Sequence, residues 1–91
     1  MKDKISSLYS LTIYPEDAGE GFVVEFRSRN DKSDFKAIAK INDSQLTSIE
    51  FKGRVKSDEM NKTIKIVEKL IPELTKAYYV LKNMYEYINQ E

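Results

Sequence analysis

Apolar residues between Met60 and Ile88 recur at alternating steps of four and three: Met60, Ile64, Val67, Ile71, Leu74, Tyr78, Leu81, Tyr85 and Ile88. That spacing predicts one continuous helical seam. Ile66, Leu70, Ala77, Val80, Met84 and Tyr87 follow the same alternation beside it, broken only by Glu73. The apolar arc therefore spans about half the helix circumference, wider than a single packing partner requires. One seam is expected to cover a sheet and the other to meet a second helix.

Upstream the period changes from 3.6 to 2, and four strands are predicted. Tyr9, Leu11 and Ile13 alternate with Ser10 and Thr12 before the polar connection PEDAGEG. Phe22, Val24 and Phe26 alternate with Val23, Glu25 and Arg27 up to the turn residues Asn30 to Ser33. Phe35, Ala37, Ala39 and Ile41 follow, then Asn42-Asp43-Ser44, then Ile49, Phe51, Gly53 and Val55. These apolar positions are assigned to the face under the helix, and short connections make an antiparallel meander the economical topology. Ser57 is the expected N-cap, with Asp58 and Glu59 at the positive end of the helix dipole.

The fold class is therefore α+β: a four-stranded antiparallel β-meander (residues 8–56) followed by a long C-terminal helical segment (57–90), within a single domain spanning 1–91. Helical throughout, that segment would extend roughly 50 Å, against about 19 Å for four strands side by side. It must overhang its sheet. Pro72 removes one helical hydrogen bond and disfavours helix at Ile71, so it either kinks the helix or opens a second one. The tyrosine-rich end (Tyr78, Tyr79, Tyr85, Tyr87) is expected to make a homodimer contact, through Ile66, Leu70, Tyr79, Val80, Met84 and Tyr87.

Register then fixes what stands on the other face of the sheet. Keeping the apolar faces together pairs Arg27 with Lys36 and Lys36 with Lys52, with Arg29 and Arg54 in a neighbouring row. Like charges directly opposite destabilise a sheet, so stability alone does not account for this row. Glu25 and Glu50 flank Ile38 one row away, and Asp34 can pair with Arg29 or Arg54. The face is thus either a solvated, ion-paired surface or an anion-binding one. As a binding surface it would use Arg27, Arg29, Lys36, Lys40, Lys52, Arg54 and Tyr14: cations for the phosphates of a single strand, apolar or flat groups for its bases.

Fifteen Lys and Arg balance fifteen Asp and Glu, so a partner must be met by local patches rather than by net charge. The 91 residues contain neither Cys nor His. Disulfide scaffolds, nucleophile relays and soft-metal sites are excluded by composition, and no phosphate-cradling glycine motif occurs. No enzymatic activity, catalytic residue, metal or cofactor is expected. Glu16, Asp17 and Glu20 in PEDAGEG match no calcium loop and read as a solvated turn. The amino terminus lacks a signal-like apolar run and no segment has membrane-span length, so a cytoplasmic protein is expected and the sequons at Asn42 and Asn61 carry no meaning.

The order of elements, four meander strands and then a long helical segment interrupted at Pro72, resembles the Whirly and Pur-alpha type of single-strand-binding fold and the related positive-cofactor-four coactivator domain. The resemblance is one of topology over residues 8 to 90. It implies dimerisation through the helical elements and single-stranded nucleic acid on the curved sheet. The competing expectation is a small non-enzymatic interaction module, such as an immunity protein, antitoxin or phage-type inhibitor, whose protein partner would meet the same sheet or the acidic loop.

Overall fold

The computed structural model describes residues 8–16 and 20–90. Four antiparallel strands, β1 (Leu8–Pro15), β2 (Phe22–Arg29), β3 (Asp34–Asn42) and β4 (Gln45–Arg54), lie in the order β1-β2-β3-β4. Two helices follow, α1 (Ser57–Lys69) and α2 (Ile71–Asn89). The meander is the one the alternation predicts. Among the described residues no helix is long and apolar enough to cross a membrane.

Each connection has local chemistry. At the β2–β3 turn the Asn30 carbonyl oxygen Oδ1 accepts hydrogen bonds from the amides of Lys32 (2.8 Å) and Ser33 (2.9 Å), and the Asn30 amide donates to the Ser33 carbonyl at 2.8 Å. This side-chain turn mimicry is what Asn supplies. The Ser33 hydroxyl, fully buried, also lies 3.1 Å from Glu59 Oε2, tying the turn to the first turn of α1. Asp43 and Ser44 both take positive φ (55° and 62°) between the paired residues Asn42 and Gln45, the backbone of a two-residue hairpin whose twist suits the flanking strands.

The core is built from the central strands and the helices. Phe22, Val24, Ala39 and Ile41 are buried with Val67, Ile71 and Tyr78, and the Tyr78 ring stacks on Phe22 with centroids 4.7 Å apart and planes 9° from parallel. Ala37 and Ala39 are completely buried, the small side chains that let a helix approach the sheet closely. Gly53, at φ 117°, lies opposite Phe35; a Cβ there would stand 2.5 Å from the Asp34 carbonyl oxygen.

Of the two outcomes expected at Pro72, the second holds: Leu70 leaves helical geometry (φ −97°, ψ 7°) and Pro72 occupies the first turn of α2, where its missing N–H is an orphan in any case. Other expectations need correction. Ser57 is not the N-cap. Lys56 holds that extended position without a side-chain cap bond, and Asp58 accepts the Glu59 amide instead. Tyr9 leaves the helix-covered face, because a bulge between Leu8 and Ser10 sets two steps of β1 against one of β2. Val23, expected outside, is buried at 4% exposure, while Leu11 stays half exposed.

The first helical seam covers the sheet only as far as Tyr78. Beyond it Leu81, Tyr85 and Ile88 are as open as Val80, Met84 and Tyr87, with exposures from 47% to 77%. Eleven residues of α2, roughly 16 Å of helix, follow Tyr78 with the apolar positions of both seams exposed. Tyr78 itself belongs to the core rather than to the projecting end.

Candidate nucleic-acid interface

The outer sheet face is organised by the register of its two hairpins, which is the register the sequence dictates. Arg27 pairs with Lys36 and Lys36 with Lys52, so three cations form a row across β2, β3 and β4. In the adjacent row toward the β2–β3 turn, Asp34 stands between Arg29 and Arg54. On the other side of the cationic row Ile38 stands between Glu25 and Glu50.

Ion pairs divide these cations into two groups. Arg27 engages Asp34 through two nitrogens, with Nε 3.1 Å from Oδ1 and Nη2 3.3 Å from Oδ2, and Arg29 approaches the same carboxylate at 3.9 Å. Lys36 pairs with Glu25 at 3.2 Å and Lys40 with Glu16 at 3.7 Å. Lys52 and Arg54 engage no carboxylate among the described residues; Arg54 Nε donates to the Lys32 carbonyl oxygen at 3.4 Å. All these pairs are partly exposed, so each holds geometry more than it adds stability.

Six cations thus share the face with four carboxylates, leaving an excess of positive charge; the two cations without a carboxylate partner among the described residues, Lys52 and Arg54, both lie on β4. The Tyr14 hydroxyl donates a hydrogen bond to Glu25 Oε2, and this bond, followed by the hydrogen bond from Lys36, holds the Glu25 pKa below its ordinary value; burial acts the other way, and the charges of Lys36 and Lys52 add smaller lowering contributions.

The bulge in β1 adds a component that alternation did not reveal. It carries the Tyr9 ring to Arg27 and Arg29, whose guanidinium carbons lie 5.9 and 5.5 Å from its centroid, within cation–π range. Tyr9 remains 63% exposed, so its ring is available as a platform. Beside it Ser10, Thr12, Glu25, Phe26, Arg27 and Lys36 line an open depression of about 290 Å³.

No family model, curated protein or solved structure matches this chain. What the face can do therefore rests on its own residues.

Of the seven side chains expected here, Arg27, Lys36 and Lys52 are brought into one row, and Arg29 and Arg54 into the next. Lys40 and Tyr14 stand apart from them, in the row Tyr14–Val23–Lys40–Ser48. Lys40 lies about 13 Å from Lys36 along β3. Tyr14 is a hydrogen-bond donor to Glu25 rather than a loose platform. Tyr9 was missed because a bulge in a strand without Gly leaves no mark in the alternation. Among the described residues no group of acidic side chains could hold a metal ion; Asp17 lies outside them, and Glu16 is engaged by Lys40. The six residues expected at a dimer contact are all exposed: Ile66, Leu70, Tyr79, Val80, Met84 and Tyr87, from 42% to 77%.

Proposed function

We propose that this chain is a cytoplasmic, non-enzymatic single-stranded nucleic-acid-binding protein that works through the outer face of its sheet as a homodimer. The observation that carries the reading is the row Arg27–Lys36–Lys52, three like charges directly opposite one another, with the exposed Tyr9 ring at its β1 end. Such a row opposes folding. Phosphates laid across it would relieve the repulsion while Tyr9 and the partly exposed Ile38 meet bases, the combination of cationic track and flat platform that single strands need. Topological resemblance to the Whirly and Pur-alpha type of fold points the same way, as analogy.

The homodimer is proposed from the helices. Ile66 on α1, Leu70 at the break and Tyr79, Val80, Met84 and Tyr87 on α2 are exposed apolar residues too numerous to be a scattering of single surface residues, and a second copy offers the matching set.

The test is fluorescence anisotropy of labelled single- and double-stranded oligonucleotides at low and near-physiological salt. The logarithm of affinity should fall against log salt with a slope of roughly −0.7 per phosphate neutralised. The face bounds that slope. Occupation of all six cations gives roughly −4, and the charge left after the four carboxylates gives roughly −1.4. Reversing Arg27 and Lys52 together to Glu should abolish binding while circular dichroism stays unchanged; binding as tight as the parent's refutes the site.

A second reading, a protein-interaction module of the immunity, antitoxin or inhibitor kind, is favoured by one observation. Four of the six cations already have carboxylate partners on the same face, which weakens their call on phosphate. Absence of any oligonucleotide binding at low salt would leave this reading in place.

A further inference from the structure

The two edges of the sheet are built differently. β4 carries Glu50, Lys52 and Arg54 and is irregular opposite Lys40 and Ile41; charge and bulging are how native edges refuse a further strand. β1, LYSLTIYP, has no charged residue in eight positions. Leu8, Tyr9, Leu11 and Tyr14 on it keep exposures of 54%, 63%, 50% and 37%. The bulge at Leu8–Ser10 and the proline at 15 confine the regular part of this edge to Ser10–Tyr14.

We infer that this window pairs with the same window of a second copy, antiparallel about a two-fold axis at Thr12, joining two four-stranded sheets into one of eight strands. The occupant follows from self-complementarity. With the axis at Thr12, Thr12 faces Thr12 of the second copy, Leu11 faces Ile13 and Ser10 faces Tyr14. Leu11 and Ile13 pair with Phe26 and Val24 within their own sheet, so they lie on the helix-covered face. Each half-covered Leu11 gains an apolar neighbour. Ser10, Thr12 and Tyr14 stay together on the outer face, and a directly opposed Thr pair is one of the favourable cross-strand combinations.

Neighbouring registers are worse. An axis at Leu11 sets the bulged Tyr9 against Ile13, which points to the other face, and an axis at Ile13 brings Pro15, which has no N–H, against Leu11. No register of β1 on itself opposes like charges. This contact is separate from the α2 stripe and needs no nucleic acid.

The chain contains no cysteine, so Thr12→Cys introduces a single thiol. Directly opposed residues in an antiparallel pair hold their Cβ atoms about 4.5–5.5 Å apart, within reach of a disulfide after a small adjustment. Under mild oxidation Thr12→Cys should give a covalent dimer, while Ser48→Cys on β4 stays uncrosslinked. Tyr87→Glu combined with Thr12→Cys should crosslink equally well, which separates the edge contact from α2. Thr12→Lys is the second variant. Its ammonium would face Glu25 within its own chain, so circular dichroism should be unchanged, but two lysines would meet across the axis. Light scattering should give a mass of half the parent's or less. Crosslinking at position 12 no faster than at 48, or an unchanged mass for folded Thr12→Lys, overturns the inference. Neither result depends on oligonucleotide binding.

Discussion

Lys52→Glu should make the protein more stable and a weaker nucleic-acid binder. Lys52 stands directly opposite Lys36 on the edge strand and forms no ion pair among the described residues, its charge acting on Glu25 less than that of Lys36 does. Two unit charges about 6 Å apart in water interact by about 0.7 kcal/mol. Reversing one turns that repulsion into an equal attraction, a swing of about 1.4 kcal/mol. At 0.1 M salt, where the Debye length is about 10 Å, roughly 0.8 kcal/mol survives, and at 1 M, where it is about 3 Å, roughly 0.2. For a domain of this size the low-salt gain corresponds to an increase of about 3–6 °C in Tm. Thermal unfolding by circular dichroism at the two salt concentrations reads the stability, and oligonucleotide anisotropy reads the binding, whose log–log salt slope should shrink by roughly 0.7. Destabilisation, or a gain that persists at 1 M salt, refutes the repulsive row. A stabilised protein with unchanged affinity and slope refutes the binding site and leaves the row a structural oddity.

Three further outcomes follow from the geometry. Gly53→Ala should cost about 2–3 kcal/mol in urea unfolding, because its φ of 117° is a conformation an L side chain rarely adopts and its Cβ would meet the Asp34 carbonyl oxygen; a loss under about 0.5 kcal/mol contradicts that backbone. Tyr78→Ala should cost about 3–5 kcal/mol by removing the ring stacked on Phe22, whereas Tyr87→Ala, at a residue 77% exposed, should change monomer stability by less than about 0.5 kcal/mol. The Glu25 pKa is lower folded than unfolded, so its stabilisation is present above the unfolded value and is lost as pH falls through the folded one. Tyr14→Phe removes the largest cause, and the carboxyl's NMR titration should move up toward its ordinary range; an unmoved midpoint refutes the hydrogen bond.

The meander and its register were legible because alternation leaves little freedom. With Phe22, Val24, Phe26, Phe35, Ala37, Ala39 and Ile41 forced to one face, a one-residue slip would bury Arg27 and Lys36, so the opposed cations could be read from spacing alone. The side of the sheet taken by Tyr9 was not legible, because a bulge depends on how the β1 backbone fits β2 and leaves no composition cue. Burial of Val23 was equally hidden. It arises from the row it shares with Tyr14 and Lys40. At the helix, spacing showed which positions share a face but not where the sheet beneath ends, and so could not separate Tyr78, stacked in the core, from the exposed Leu81 and Tyr85, one and two turns farther on.

That end point has a consequence for what the chain is built to do. The main buried cluster lies between the central strands and the helix segment from Val67 to Tyr78. Leu11 on β1 and the distal half of α2 add nothing to that core, yet both are rich in side chains that water disfavours. A domain selected only to fold would carry polar residues there, since substitution at exposed positions changes stability little. The uncharged edge and the uncovered stripe also share a property that the outer sheet face lacks: neither opposes like charges when it meets its own copy. The cationic row does, and would hold two such faces apart. On the proposed function, apolar surfaces suited to a second copy would assemble the protein, while the cationic row, which repels its own copy, would stay free for a partner of opposite charge.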